Sequence, residues 1–126
     1  MTYHATQIIG HTGRAAEMRY TPNGTAVTDF SVAVNEQYTD STGEKVKKTI
    51  WYKVTAWGKL AEICNSIMKG DRVFINGRLA ADPETGGPRT WIDKEGVTRS
   101  QFELTASEVR FLTSRDKTET PTEEAF

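Results

Sequence analysis

Apolar and polar side chains alternate along most of this chain, and the alternation resolves it into strands. Across residues 26–38 one parity carries Ala26, Thr28, Phe30, Val32 and Val34, and the other carries Val27, Asp29, Ser31, Ala33, Asn35 and Gln37. Successive side chains of an extended strand point to opposite faces, so the pattern predicts a half-buried strand with its even positions inward. Glu36 and Tyr38 continue the apolar parity, which requires either a strand end near Asn35 or a bulge that re-aims Tyr38. Residues 46–57 alternate more sharply. Val46, Ile50, Tyr52, Val54 and Ala56 form an apolar row interrupted by Lys48, while Lys47, Thr49, Trp51, Lys53, Thr55 and Trp57 occupy the opposite face. Turn chemistry at residues 39–44, TDSTGE, joins the two runs as an antiparallel hairpin.

The remaining elements follow from the same reading. Residues 2–10, with Ala5, Ile8 and Ile9 among polar neighbours and glycines at 10 and 13, predict a first strand with breaks. Thr21-Pro22-Asn23-Gly24 is a tight turn before the second strand, because proline presets one dihedral and Asn-Gly accepts positive φ. After Gly58, Leu60, Ile63, Cys64 and Ile67 recur at the spacing of one helical face, predicting a short helix over 59–69 that stops at Gly70. Residues 72–79 alternate again, with Val73, Ile75 and Leu79 inward and Arg72, Phe74, Asn76 and Arg78 outward. A Gly/Pro-rich loop over 80–88 leads to a small projecting hairpin over 89–100, centred on Asp93-Lys94-Glu95-Gly96. A last strand over 101–112 changes phase near Ser107 and Glu108, which predicts a bulge.

Length and composition agree with one domain. The 126 residues suffice for a core without disulfides, and 37% hydrophobic with 26% charged residues is ordinary for a globular chain. No apolar run approaches the ~20 residues that span a bilayer, and MTYHATQIIG has neither a signal nor a transit pattern, so the expected location is the cytoplasm. The single cysteine, Cys64, falls in the helical apolar stripe and reads as core. Formal net charge is −1. Residues 1–112 hold 14 Lys and Arg against 13 Asp and Glu, whereas 113–126 hold two against four. The expected organisation is therefore a folded domain over 1–112 and a short, disordered acidic tail over 113–126.

Charge changes the picture only where it is concentrated. From Lys45 to Lys59 there are five lysines and no acidic residue. On the odd face of residues 47–57, cations alternate with small hydroxyls and two indoles. A single nucleic-acid strand offers a phosphate line that attracts cations and unstacked bases that attract aromatic planes, and this face matches both. The competing reading is a sheet packed beneath a helix, with lysines snorkelling past it. Against that, the even row already supplies a buried face. Trp91, flanked by Arg89 and Lys94 with little apolar sequence to cover it, is the third candidate ring; the alternative is a lid that folds it over the core. Phe74, with Arg72 and Arg78 beside it, extends the binding face or serves a subunit contact. His4 and His11 lack supporting ligands, so no metal or other cofactor is expected.

Five strands with one helix between strands 3 and 4 match the order of an all-β, five-stranded Greek-key OB-fold barrel, here with a projecting hairpin before strand 5. Five segments carry a closer likeness: RYTPNG, NEQYTD, TIWYKVTAWGKLAE, KGDRVFINGRL and WIDKEG. Taken in order over residues 8–112, they resemble the bacterial single-stranded DNA-binding protein family. That resemblance implies an OB-fold, a homotetramer arranged as a dimer of dimers, and sequence-independent binding of single-stranded DNA in replication, recombination and repair, in association with the nucleoid. It also implies base stacking by Tyr38, Trp51, Trp57 and Trp91. Arg19, Lys53 and Lys59 resemble phosphate-contacting positions, and Lys47 and Arg89 join them by charge and place. Family members typically end in an acidic tip closing on Pro-Phe that recruits DNA-processing proteins. Here the chain ends Glu123-Glu124-Ala125-Phe126, so the terminal Phe126 and two carboxylates persist while alanine stands in place of proline; recruitment of replication and repair proteins and a merely frayed end are both open.

Three other readings compete with this one: an RNA-binding or accessory module of the same class, an enzyme, and a purely structural oligomer subunit. An OB module for RNA would show the same aromatic and basic face. A nuclease would need clustered carboxylates, and Asp29, Asp71, Asp82 and Asp93 fall on different elements, so no enzyme is expected.

Overall fold

In a computed structural model, residues 1–112 are described. The elements run β1 (Thr6–Thr12), β2 (Glu17–Tyr20), β3 (Ala26–Thr39), β4 (Lys45–Trp57), α1 (Lys59–Cys64), β5 (Arg72–Leu79), β6 (Thr90–Ile92), β7 (Thr98–Ser100) and β8 (Phe102–Phe111). The main sheet has the order β1-β5-β8-β4-β3-β2, and a further pairing of β1 with β3 closes it. β1, β5, β8, β4 and β3 thus form a closed five-stranded barrel of the OB type, with β4 and β8 parallel and the other pairs antiparallel. Closure leaves no free edge among these strands over their paired lengths.

Closure demands close backbone approach at two glycines. A Cβ at Gly10 would lie 2.2 Å from the Ala33 carbonyl oxygen, where β1 crosses β3, and one at Gly77 would lie 2.3 Å from the Thr105 oxygen, where β5 crosses β8. Beside Gly77 the β5–β8 register shifts: Asn76 pairs with Glu108 and Gly77 with Ala106, leaving Ser107 as the extra residue. This is the bulge expected from the change of phase. Ser107 Oγ donates to the Asn76 carbonyl at 3.0 Å, which holds the bulge closed.

The core is the inward parity of the strands plus the helix: Ile8, Phe30, Val32, Val54, Ala56, Val73, Ile75 and Leu104, with Cys64 and Ile67 plugging one end. Cys64 is fully buried, and burial pushes its thiol up to about 11.

Several expectations need correction. The first strand begins at Thr6 and runs on past Gly10 to Thr12. Glu17–Tyr20, expected only as the approach to a turn, is a short strand paired with the start of β3. The helix stops at Cys64 rather than Lys69. Beyond it, Thr12 holds the segment expected as the last turn. Its Oγ1 donates to the Met68 carbonyl at 2.6 Å, its carbonyl accepts from Gly70 N at 2.9 Å, and its N–H donates to the Asp71 carbonyl at 2.8 Å. The 68–71 segment is thereby tied to β1 instead of continuing the helix. Ile67 keeps its buried place, but Ile63 turns out to solvent at 52% exposed. Leu79, expected inward by parity, stands at the barrel rim and is 48% exposed, and Phe102, which shares the parity of the buried Leu104, is 52% exposed at the start of β8.

Candidate nucleic-acid interface

β3 and β4 pair without interruption from Val27 opposite Trp57 to Thr39 opposite Lys45. Directly opposed residues share a face, so the outward side of this ribbon is fixed by register. It carries, in order, Val27 with Trp57, Asp29 with Thr55, Ser31 with Lys53, Ala33 with Trp51, Asn35 with Thr49 and Gln37 with Lys47. Trp51 and Trp57 are each 49% exposed. The small hydroxyls have partners: Thr55 Oγ1 donates to Asp29 Oδ1 at 2.9 Å, and Thr49 Oγ1 lies 2.8 Å from Asn35 Oδ1. The surface between the rings and lysines is therefore an ordered floor. Val27, placed by parity among solvent-facing residues, is buried because Arg19 of β2 and Trp57 of β4 stand on either side of it on the same face.

Beyond the stretch where β8 pairs with it, the edge of β4 faces the β6–β7 hairpin across an open groove of about 650 Å³. Lys48, Thr49 and Trp51 line one side and Trp91, Arg99 and Phe102 the other. The fold thus brings Trp51 and Trp91, forty residues apart, to one groove. Trp91 is half-buried rather than free-standing: the Arg89 guanidinium lies 4.7 Å from its ring centroid and also bonds Glu103 at 3.0 Å. Asp93 organises the hairpin tip by accepting from Arg99 Nε at 2.8 Å and from the Glu95 and Val97 amides, which hold its carboxyl below the ordinary aspartate value.

Tyr38 departs from the pattern. It is exposed and pairs with Val46, with no bulge or strand end before it, so it stands on the ribbon face opposite to Trp51 and Trp57. On that same face Glu36 and Lys48 form an ion pair at 3.5 Å. Past Val34 the ribbon has left the barrel, so both of its faces meet solvent.

The cations divide into two groups. Lys47, Lys53 and Lys59 form no ion pair among the described residues, whereas Arg19 pairs with Asp29, Arg89 with Glu103 and Arg99 with Asp93. Phe74, with Arg72 and Arg78, lies on β5, separated from β4 by β8 and opposite Ile9 of β1. Two further residues contribute to the site, one of them not evident from sequence pattern. Gly13 packs under Trp51, a role that its place at a strand break does not signal. Asp29 joins the aromatic face, and its parity is the one signal that could have placed it there. No group of His, Cys, Asp or Glu suited to a metal occurs among the described residues. No helix among them is long and apolar enough to cross a membrane. Glu123, Glu124 and Phe126 lie outside the described residues.

The closed barrel with its short helix and projecting hairpin defines an OB-fold with an aromatic, basic outer face. Residues 3–112 match the single-strand binding protein family, and the chain belongs to that family. It is 36% identical over 118 residues to the single-stranded DNA-binding protein of Neisseria meningitidis, covering 93% of this chain and 64% of that protein. Among solved structures, a deletion mutant of the single-stranded DNA binding protein from Thermus aquaticus superimposes with a TM-score of 0.68 at 28% identity, over 88% of this chain and 51% of that one. The Plasmodium falciparum SSB in complex with ssDNA shares the fold, with a TM-score of 0.71 at 23% identity over 90% of this chain and 97% of that one.

Proposed function

We propose that this protein binds single-stranded DNA without reading its sequence, and that it protects and organises exposed strands during replication, recombination and repair. The observation that carries this reading is the shared outward face of Trp51, Trp57 and Lys53, continued into a groove that ends on Trp91. Each exposed indole offers a plane on which a base stacks, worth ~1 to 3 kcal/mol and indifferent to base identity. A duplex keeps its bases stacked on one another, so it gains nothing from these rings. Lys47, Lys53 and Lys59 supply the phosphate contacts. Arg89 acts through Trp91, which it holds in place by stacking on its ring. Tyr38 takes a base only from a strand that passes around the projecting β3–β4 ribbon.

The action is binding without catalysis, by a homotetramer of the dimer-of-dimers kind in the cytoplasm at the nucleoid. Phe74, Arg72 and Arg78 fit a subunit contact better than the DNA face, because β8 separates them from β4. Glu123, Glu124 and Phe126 are proposed to recruit replication and repair proteins.

The test is fluorescence anisotropy with labelled oligothymidylate, the complementary duplex and a matched RNA at fixed salt. Tight binding to the single-stranded DNA, little affected by base composition, with weak binding to the duplex is expected. Preference for the duplex, or for RNA over DNA, overturns the reading.

A further inference from the structure

Asp29 puts a carboxylate on the same face as Lys53 and Trp57. Both of its oxygens are engaged: Arg19 Nη1 donates to Oδ2, and Thr55 Oγ1 donates to Oδ1 at 2.9 Å. The two partners differ in exposure, the Asp29 side chain being 14% exposed and the Arg19 side chain 62%. On β2, Glu17 pairs in register with Asp29 and adds a second negative charge to this side of the face.

We infer that Asp29 is a positioning residue which removes Arg19 from the phosphate-binding set and directs the phosphates of a bound strand along the lysine side of the face, away from β2. This rests on the single-stranded DNA reading above. A phosphate that draws Arg19 off Oδ2 leaves a largely enclosed carboxylate without its nearest charge partner, which is costly, and one that leaves the pair intact meets a guanidinium whose charge Asp29 already offsets. Lys47 and Lys59, with no ion pair among the described residues, meet a phosphate without that penalty, and Lys53, which acts on Asp29 by its charge but forms no ion pair with it, meets one at a smaller penalty than Arg19. The carboxylate also repels a phosphate placed over Thr55. It is charged at neutral pH: partial burial pushes it upward, but hydrogen bonds from Arg19 and Thr55 and the charges of Arg19 and Lys53 outweigh this and hold it below the ordinary aspartate value.

The experiment measures oligothymidylate affinity over a range of salt for the full chain and for Asp29→Asn, Arg19→Gln, Asp29→Asn/Arg19→Gln and Lys53→Gln, with thermal melting of each. Asp29→Asn, which keeps an acceptor for Thr55, should bind roughly two- to fivefold tighter at low salt. Its slope of log K against log salt should steepen by about 0.7, the increment of one phosphate contact to a single strand. Adding Arg19→Gln should remove that increment. Arg19→Gln alone should leave the slope unchanged while weakening binding, whereas Lys53→Gln should reduce the slope by about 0.7. Unchanged or weaker binding by a folded Asp29→Asn protein overturns the inference, and so does a slope reduced by Arg19→Gln alone. If Asp29→Asn fails to fold, the Arg19→Gln slope decides. Failure of the parent chain to bind the oligonucleotide would instead remove the functional reading itself.

Discussion

The six-membered ring of Trp51 rests against the bare backbone of Gly13, where a Cβ would lie 2.7 Å from Cζ3 and 3.0 Å from Cη2. Gly13 is not among the glycines of positive φ, so space and not backbone conformation calls for glycine here. The contact, together with the Gly13 N–H to Ser31 carbonyl bond at 3.0 Å, sets the tilt of the indole over the barrel wall. Gly13→Ala should displace the ring and weaken binding to single-stranded DNA by up to ~1 kcal/mol, part of the ~1 to 3 kcal/mol of one stacked base. In a Trp51→Ala background the same substitution should cost no affinity. Comparing the four affinities as a double-mutant cycle checks this, and additive losses would place the effect of Gly13 elsewhere.

Barrel closure gives a separate prediction. Gly10→Ala brings a methyl group against the Ala33 carbonyl where β1 meets β3. Overpacking of this kind costs ~1 to 3 kcal/mol, and backbone is the least able to yield. Denaturant unfolding should show the loss in midpoint. Equal stability would mean that β1 and β3 separate more easily than their pairing suggests.

Tyr38 and Trp51 stand on opposite faces of the β3–β4 ribbon, so one short strand cannot lie on both. Tyr38→Ala should leave the affinity for an oligonucleotide of about 4 nucleotides unchanged and weaken that for one of about 16 or more, while Trp51→Ala weakens both. Isothermal titration at two lengths distinguishes them. An equal loss at both lengths would require a ribbon twisted further than its register implies.

The pH dependence of stability follows from Asp29 and Asp93, both held below the ordinary aspartate value of about 3.9. A carboxyl with a depressed value in the folded state stabilises fully above its unfolded value and loses that contribution as pH falls through the folded one. Melting temperature should therefore be flat from about pH 8 to 5 and fall below about pH 4, and less steeply in Asp29→Asn. Parallel declines in the two proteins would show that Asp29 contributes nothing. The buried thiol moves the other way: with Cys64 pushed up to about 11, a thiol reagent at pH 8 should label it only as fast as the chain unfolds.

Much of this architecture is legible in the sequence because strand parity is a local signal. The alternation over residues 46–57 by itself separates Val54 and Ala56 from Trp51 and Trp57, and the change of phase at Ser107 locates the bulge. Where local pattern fails, a distant segment has intervened. The helical stripe through Ile67 continues past Cys64, but the 68–71 segment beyond it is bonded to Thr12 of β1 and not wound into helix. Val27 has the outward parity and is buried because β2 supplies Arg19 beside it. Leu79 and Phe102 have inward parity on strands that end at the rim, where the inward direction no longer meets a core. The groove joining Trp51 to Trp91 has no local signature, since it depends on where β8 lets go of β4. The family resemblance points to Tyr38 while parity places it on the far side of the ribbon, and the unbroken register supports the parity.

The central claim is that indoles on the outer wall of the barrel receive the bases of unpaired DNA. It is tested most directly in a variant with Trp57→Phe and Trp91→Phe, which leaves Trp51 as the sole tryptophan, titrated with oligothymidylate and with duplex of equal length. The account predicts saturable quenching of Trp51 emission by the single strand and almost none by the duplex. Emission that stays constant while the single strand binds, or equal quenching by the duplex, would contradict it.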